Sequence, residues 1–171
     1  ATTVATNAIL ERKGARIGLV TTAGFRDVTI LGRSKRYDTY DLHLRKPRPL
    51  LERSAIVEVN ERASADGRLL VPFDPEHESV AQAVEALARQ DVEAVAVSFL
   101  HAYANPDNER AMREVLREVH PEWPVSLSSD VSPQYREYER TSTTLANVYV
   151  MPVVRAFLDE LERAFEAEGF R

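Results

Sequence analysis

The sequence of 171 residues contains no cysteine, which excludes disulfides, thiolate metal sites and a cysteine nucleophile. None of its apolar runs approaches the roughly 20 residues that a helix needs to cross a bilayer. The first residues, Ala1-Thr2-Thr3, lack the basic and apolar stretches of a signal peptide. These absences favour a cytoplasmic location without a membrane segment.

Three kinds of ligand-binding signal are also missing. The chain has neither the GxxxxGK[ST] nor the GxGxxG pattern of a phosphate-binding loop. The histidines His43, His77 and His120 do not have the spacing of metal ligands, so we predict no metal site. The net charge of −5 gives no general reason to expect nucleic acid as a partner.

Helix-like and strand-like patterns alternate along the chain, and hydrophobic residues make up 44% of it. The stretch 92–100 is almost wholly apolar, which is typical of a strand covered on both faces in a parallel sheet. Asn105-Pro106 resembles a helix cap followed by a proline in the first turn. We predict helices near 5–12, 80–87, 105–119 and 135–169, the last with a kink or a fresh start at Pro152, and strands near 15–22, 92–100 and 125–127.

The segment 33–75 differs in character from the rest. Basic residues and two prolines dominate 33–53, which predicts an irregular basic loop. A solvated surface loop is the plain interpretation, and contact with a nucleotide phosphate, an acidic partner subunit or nucleic acid is the functional one. The apolar runs 56–59 and 69–71 flank Asp66-Gly67, a typical hairpin turn. We predict a basic loop and a β-hairpin as an excursion from the main domain.

These patterns predict an α/β fold, a partly parallel sheet flanked by helices with a β-hairpin excursion. Ligands of such sheets gather beyond the carboxyl ends of the strands. That rule selects three places: the loop at Thr21-Thr22, His101 with Tyr103, and the segment 128–130, for which a simple turn is the alternative.

Four segments resemble, in the same order, motifs of the hydantoinase A / 5-oxoprolinase family. They are residues 1–14 (ATTVATNAILERKG), 19–27 (LVTTAGFRD), 97–106 (VSFLHAYANP) and 137–144 (EYERTSTT). The resemblance implies part of an actin/Hsp70/sugar-kinase ATPase fold, with residues 1–171 as an N-terminal domain fragment. It implies a parent that uses ATP and Mg²⁺ to activate the ring carbonyl of a small cyclic amide, such as a hydantoin, N-methylhydantoin or 5-oxoproline, before hydrolysis.

The resemblance also implies a hydantoinase B-type subunit or domain as partner. The family's glycine-rich phosphate loop and its later nucleotide-binding half are not found in this sequence. We therefore expect the isolated fragment to be inactive and to bind no nucleotide, since phosphoryl transfer depends on groups that position the phosphates. Two alternatives remain open: the ATP-using subunit of an acetone or acetophenone carboxylase, and a non-enzymatic binding module on the same scaffold.

The candidate site residues come from these motifs. Glu139, Arg140 and Thr141 are predicted to be catalytic, because an arginine stabilises developing negative charge and a glutamate positions water or Mg²⁺. The plain alternative is a surface ion pair and hydroxyls that bond back along a helix.

Substrate or phosphate binding is predicted for two further places. Thr2, Thr3, Thr6 and Asn7 offer hydroxyl and amide groups at a helix start, where ordinary capping is the alternative. His101 follows a strand and is a candidate proton carrier, although a lone histidine also serves as a structural hydrogen-bonding group.

Overall fold

The computed structural model describes residues 2–33, 40–41, 43, 48–167 and 169. Its strands are β1 (Ile17–Thr22), β2 (Ile56–Val59), β3 (Arg62–Ala63), β4 (Leu69–Val71), β5 (Ala94–Ser98) and β6 (Val125–Leu127). Its helices are α1 (Thr2–Leu10), α2 (Val28–Leu31), α3 (Glu78–Ala88), α4 (Asp107–Val119), α5 (Ser128–Val131) and α6 (Glu137–Ala167), and a 3-10 turn spans Arg53–Ala55. None of the described helices combines the length and the hydropathy that a membrane span requires.

Four strands form one parallel sheet in the spatial order β2-β1-β5-β6. Leu19 of β1 lies opposite Ile56 on one side and opposite Ala96 on the other. Every residue of the two central strands β1 and β5 is buried, as expected for strands covered on both faces. The predicted α/β fold with a parallel sheet between helices is therefore confirmed.

The two faces of the sheet carry side chains of different size. Val95 and Val97 of β5 belong to the cluster that contains the buried residues of α3 and α4. Ala94 and Ala96, which alternate with them, pack instead with Leu145 and other residues of α6. Because alanine leaves little side chain between a strand and its covering helix, α6 lies close against the sheet.

The predicted hairpin exists, but one of its strands differs. The turn is closed by Gly67, whose N–H donates to the Ser64 carbonyl at 2.9 Å and whose φ is 85°. The strand that pairs with β4 is β3, whereas the predicted partner at 56–59 is β2 of the main sheet. Ile56 and Val59 are both completely buried there, which a small exposed hairpin could not provide.

The basic loop predicted at 33–53 lies largely outside the described residues. Within the described part, Arg48 pairs with Glu52 and Arg53 pairs with Asp27 at 2.8 and 2.7 Å. Arg12 of the segment after α1 donates to the carbonyl of Pro49 at 2.9 Å. These contacts hold the end of the segment against the rest of the domain.

The last helix runs without interruption through Pro152, where a kink or a fresh start was predicted. Its buried residues all lie between Arg140 and Tyr149, and the residues after Arg155 that are described are mostly exposed. Proline lacks an N–H and removes one intrahelical hydrogen bond. The missing bond would end at the carbonyl of Val148, which is buried, and the helix nevertheless continues without a break.

Candidate functional site

Polar side chains gather where the parallel strands end. Thr21 and Thr22 were predicted to form a loop, but both lie in β1 and are buried. The Thr21 hydroxyl donates to the carbonyl of Ser98, the last residue of β5, at 3.0 Å. The Ser98 hydroxyl in turn lies 2.7 Å from the hydroxyl of Thr141 on α6. These bonds join two strand ends to the helix that carries the predicted catalytic residues.

The segment immediately after β5 is held from three sides. The N–H of Phe99 donates to the Glu109 carboxylate at 2.9 Å, and the carbonyl of Phe99 accepts a hydrogen bond from Arg140 at 2.7 Å. The next N–H, of Leu100, donates to the Thr22 hydroxyl at 2.8 Å. His101 follows in the left-handed region with a φ of 57°, an uncommon conformation for a residue other than glycine.

The segment after β5 places His101 among other polar groups. Its Nδ1 lies 3.4 Å from the hydroxyl of Tyr103 and 3.9 Å from a carboxylate oxygen of Glu137, the first residue of α6. The structure therefore puts one predicted binding residue next to the helix start that carries the predicted catalytic residues.

Glu109 on α4 organises this edge of the sheet, although the sequence analysis did not select it. The residue is 0% exposed and accepts hydrogen bonds from Phe99, Ser128 and Ser129. Burial raises the pKa of its carboxyl group, while these hydrogen bonds act in the opposite direction. The sequence does contain a signal for the burial of Glu109, because this residue lies three positions before the apolar Met112 and therefore on the same buried face of the helix.

The sequence analysis also did not select Glu61, a second buried carboxylate. It accepts a hydrogen bond from the Thr22 hydroxyl and another, at 2.7 Å, from the side-chain amide of Asn108. Burial raises the pKa of Glu61, and the two hydrogen bonds oppose that rise. The Thr22 hydroxyl also accepts a hydrogen bond from the Leu100 N–H. Glu61 therefore supports the segment after β5 indirectly, through Thr22.

Arg140 is 0% exposed, and each of its guanidinium nitrogens has a protein partner. Nε donates to the Ser128 hydroxyl at 3.0 Å, Nη1 to the Gln134 carbonyl at 3.0 Å, and Nη2 to the Phe99 carbonyl. Burial lowers the pKa of Arg140, and the nearby Glu137 and Glu109 oppose that change. In this arrangement Arg140 fixes neighbouring backbone rather than reaching into open space.

The other predicted residues lie in different surroundings. Glu139 pairs with Arg33 at the surface, and a hydrogen bond from its own backbone N–H, supported by Arg33, lowers its pKa. Thr2 begins α1, a helix that packs on α6, and Thr3, Thr6 and Asn7 are exposed on α1. The structure brings His101, Arg140 and Thr141 together, whereas the α1 residues do not line the cleft described next.

A small cleft opens at this edge, on the face of the sheet that α6 covers. Its space totals about 270 Å³ when the open solvent at its mouth is counted, but only about 10 Å³ is open to a water-sized molecule, far less than the ~300–1,000 Å³ of pockets that enclose a drug-sized ligand. Thr29 contributes a buried hydroxyl without a hydrogen-bond partner. The lining residues are Leu19, Thr21, Phe25, Val28, Thr29, Ser98, Phe99, Leu100, Glu137, Arg140 and Thr141.

The loop after β1 does not offer a cradle for phosphate. A phosphate site of that kind needs backbone N–H groups that point outward. Here the N–H of Ala23 donates to the Val59 carbonyl, and those of Gly24 and Arg26 donate to Glu58. The described residues also contain no group of three or more His, Asp or Glu side chains that could hold a metal ion.

The parallel sheet between helices defines an α/β protein, and its polar edge lies at the carboxyl ends of the strands, where ligands of this class of fold gather. The chain belongs to the hydantoinase/oxoprolinase N-terminal region family, whose profile matches residues 1–120. This match confirms the resemblance stated from the four motifs.

Named relatives carry the same region within longer chains. The acetophenone carboxylase gamma subunit of Aromatoleum aromaticum is 35% identical over 99% of this chain and 25% of its own length. The 5-oxoprolinase of Saccharomyces cerevisiae is 30% identical over 94% of this chain and 14% of its own length. The chain thus spans a quarter or less of the length of these relatives.

The fold is shared with an experimental structure. The crystal structure of ATP-dependent caprolactamase from Pseudomonas jessenii superposes with a TM-score of 0.90 at 31% sequence identity, covering 98% of this chain and 24% of that one. The agreement in fold extends over nearly all of the chain.

Proposed function

We propose that this chain is part of an ATP-dependent hydrolase that opens a small cyclic amide of the hydantoin, N-methylhydantoin or 5-oxoproline type. The likeness to the caprolactamase fold, over almost the full chain, is the observation that carries the proposal. ATP would supply, together with Mg²⁺, the phosphoryl group that turns the ring carbonyl into a better electrophile.

The chain's own part in this proposal is to form one wall of the active site. Its cleft is too small to enclose a nucleotide, and the backbone N–H groups after β1 are already bonded within the protein. We therefore assign the phosphates and Mg²⁺ to other parts of the longer protein, and we expect this chain alone to bind no nucleotide. Residues 1–171 would act as one domain, with 33–75 as its excursion.

The site residues keep distinct roles in the proposal. Arg140 and Thr141 would hold the wall in shape through their bonds to Phe99 and Ser98. Glu139, which is partly exposed, and His101 would face the reacting groups. Thr2, Thr3, Thr6 and Asn7 would contact substrate or phosphate from α1 once the remainder of the protein closes the site.

A separate hydantoinase B-type subunit or domain is the proposed partner. Two relatives are described as a gamma subunit and an alpha subunit, which supports an assembly of several chains. We also propose a cytoplasmic location, where ATP is available, and no nucleic-acid partner.

The test is a substrate survey of the full-length protein together with its B-type partner. ATP-dependent ring opening of hydantoin, 5-oxoproline or caprolactam, followed by the release of ADP, is the expected result. The same preparation without ATP should be inactive. Ring opening that proceeds equally well without ATP would contradict the proposal.

A ketone carboxylase is the second candidate, favoured by the likeness to the acetophenone carboxylase gamma subunit. The same wall would then face an enolate oxygen rather than a ring amide. Including acetophenone and bicarbonate in the survey distinguishes the two, because a carboxylase consumes both and leaves cyclic amides intact.

A further inference from the structure

One carboxylate on the cleft is not accounted for by the packing of the edge. Glu137 lines the cleft with its side chain 30% exposed. Its nearest oxygen lies 3.9 Å from His101 Nδ1 and 3.9 Å from Arg140 Nη1, so it is beside two groups able to carry positive charge without a hydrogen bond to either. Its acceptor sites therefore remain available to a ligand.

The start of α6 is fixed in a strained conformation. Arg136, the residue before Glu137, has a φ of 81°, in the region that residues other than glycine rarely adopt. A carboxylate in the first turn of a helix is favourable for the helix dipole alone. What distinguishes Glu137 is the chain of buried polar groups behind it.

That buried chain runs from the core to the cleft. Glu109 accepts from the Ser128 hydroxyl at 2.5 Å, and the same oxygen of Ser128 accepts from Arg140 Nε at 3.0 Å. Arg140 then lies beside Glu137. Glu109, Ser128 and Arg140 are all 0% exposed. If the charged group of Glu109 or Arg140 moved, it would lose hydrogen bonds that water could not replace.

We propose that Glu137 is a further substrate-binding residue of this wall, accepting a hydrogen bond from the ring N–H of the cyclic amide. Glu109, Ser128 and Arg140 are positioning residues that act through it. The space inside the cleft admits about one water-sized molecule, so the ring would lie at its mouth, where the Glu137 side chain is exposed. This assignment rests on the proposed function, because a ketone has no N–H to offer.

The first test compares Glu137→Ala with wild type in the full-length protein. For the cyclic amide that the wild type opens, KM should rise about tenfold, the loss expected for one hydrogen bond to a charged group. The same ring with every ring N–H replaced by N-methyl, measured as an inhibitor, should bind both proteins equally. Glu118→Ala, an exposed position on α4, is the matched control and should keep the wild-type KM.

The outcomes distinguish the proposed function from the assignment of Glu137. If wild type opens no cyclic amide, the proposed function fails. If wild type opens the ring and Glu137→Ala leaves KM unchanged, or weakens binding of the methylated ring equally, the assignment of Glu137 is wrong while the proposed function stands.

The second test uses two neighbouring serines. Ser128→Ala and Ser129→Ala each remove a hydroxyl that donates to Glu109, at 2.5 and 2.6 Å, but only Ser128 also contacts Arg140. In the full-length protein, Ser128→Ala should lower kcat/KM about tenfold and Ser129→Ala less than about twofold, per folded molecule. Equal effects of the two variants would overturn the positioning role.

A spectroscopic measurement keeps this test independent of activity. In the 171-residue chain, the Nε–H resonance of Arg140 should shift in Ser128→Ala and stay in place in Ser129→Ala. An Arg140 resonance that is unchanged in Ser128→Ala would show that the hydroxyl does not hold the guanidinium, and the proposal would fail.

Discussion

The two halves of α6 are parts of one helix with opposite environments. Residues 137–151 include all of its buried side chains, which pack on the sheet or bond to the strand ends. In residues 152–167 the large apolar side chains Leu158, Leu161 and Phe165 are 39–52% exposed. The difference shows that an apolar pattern at helical spacing indicates a helix but does not tell which part of it is buried.

The first half also differs in how its polar groups are satisfied. Arg140, Thr141 and Thr144 are buried and hydrogen-bonded to neighbouring groups. Burial of so many polar groups is costly unless every one has a partner. Buried polar groups that all have partners rigidify the region around them, which suits the proposed role of this wall in positioning substrate.

The largest expected effect comes from truncating a leucine in each half. Leu145→Ala removes a side chain that is 4% exposed in the core between α6 and the sheet, and should lower the free energy of unfolding by about 2–5 kcal/mol. Leu161→Ala, at 39% exposure, should cost less than about 1 kcal/mol. Urea unfolding of both variants measures the difference, and equal losses would mean that the outer half is packed as tightly as the inner one.

The next effect concerns the buried carboxylate behind the site. In Glu109→Gln the amide cannot accept from both the Phe99 and the Ser129 N–H groups, so one buried donor loses its partner. We expect a loss of about 1–3 kcal/mol in the free energy of unfolding. The control Glu114→Gln, exposed on the same helix, should change stability by less than about 0.5 kcal/mol. If Glu109→Gln left the free energy of unfolding unchanged, that result would contradict the network of hydrogen bonds around Glu109.

The smallest effect is a change in pH dependence. Since burial raises the pKa of Glu61 above its ordinary 4.5, the folded state holds the proton more tightly than the unfolded state. The stability contributed by that proton is present below pH 4.5 and is lost as the pH rises towards the folded-state pKa. The stability of wild type minus that of Glu61→Gln should therefore fall as the pH rises from 4.5, by at most about 1.4 kcal/mol per pH unit. A difference that is flat or increases with pH would show that Glu61 is not desolvated.

Much of the fold could be predicted because it depends on local patterns. The apolar run at 92–100 corresponds to β5. Helix α4 begins at Asp107, one residue later than predicted, because Pro106 is its N-cap, and the Asn105 side chain accepts from the Asp107 N–H at 3.0 Å. The hairpin strand was misplaced because 62–63, an arginine and an alanine, have no β-rich pattern, whereas 56–59 has one, and only the pairing with β1 shows that 56–59 belongs to the main sheet.

The polar edge was harder to predict, because its members meet only after the chain has folded. Glu109 and Phe99 are ten residues apart, but Arg140 and Phe99 are 41 apart and Glu61 and Asn108 are 47 apart. No spacing rule links residues at such separations. Motif resemblance selected Arg140 and Thr141 without indicating that both are buried, and it gave no sign of Glu61.

The central claim is that this chain forms a wall of the site without holding the nucleotide, and calorimetric titration with ATP–Mg²⁺ tests it most directly. The 171-residue chain should show no saturable binding up to about 1 mM, a concentration that corresponds to a binding free energy of about −4.1 kcal/mol. The full-length protein, titrated in the same buffer, should bind and saturate. Saturable binding by the chain alone, with a stoichiometry near one, would contradict the account.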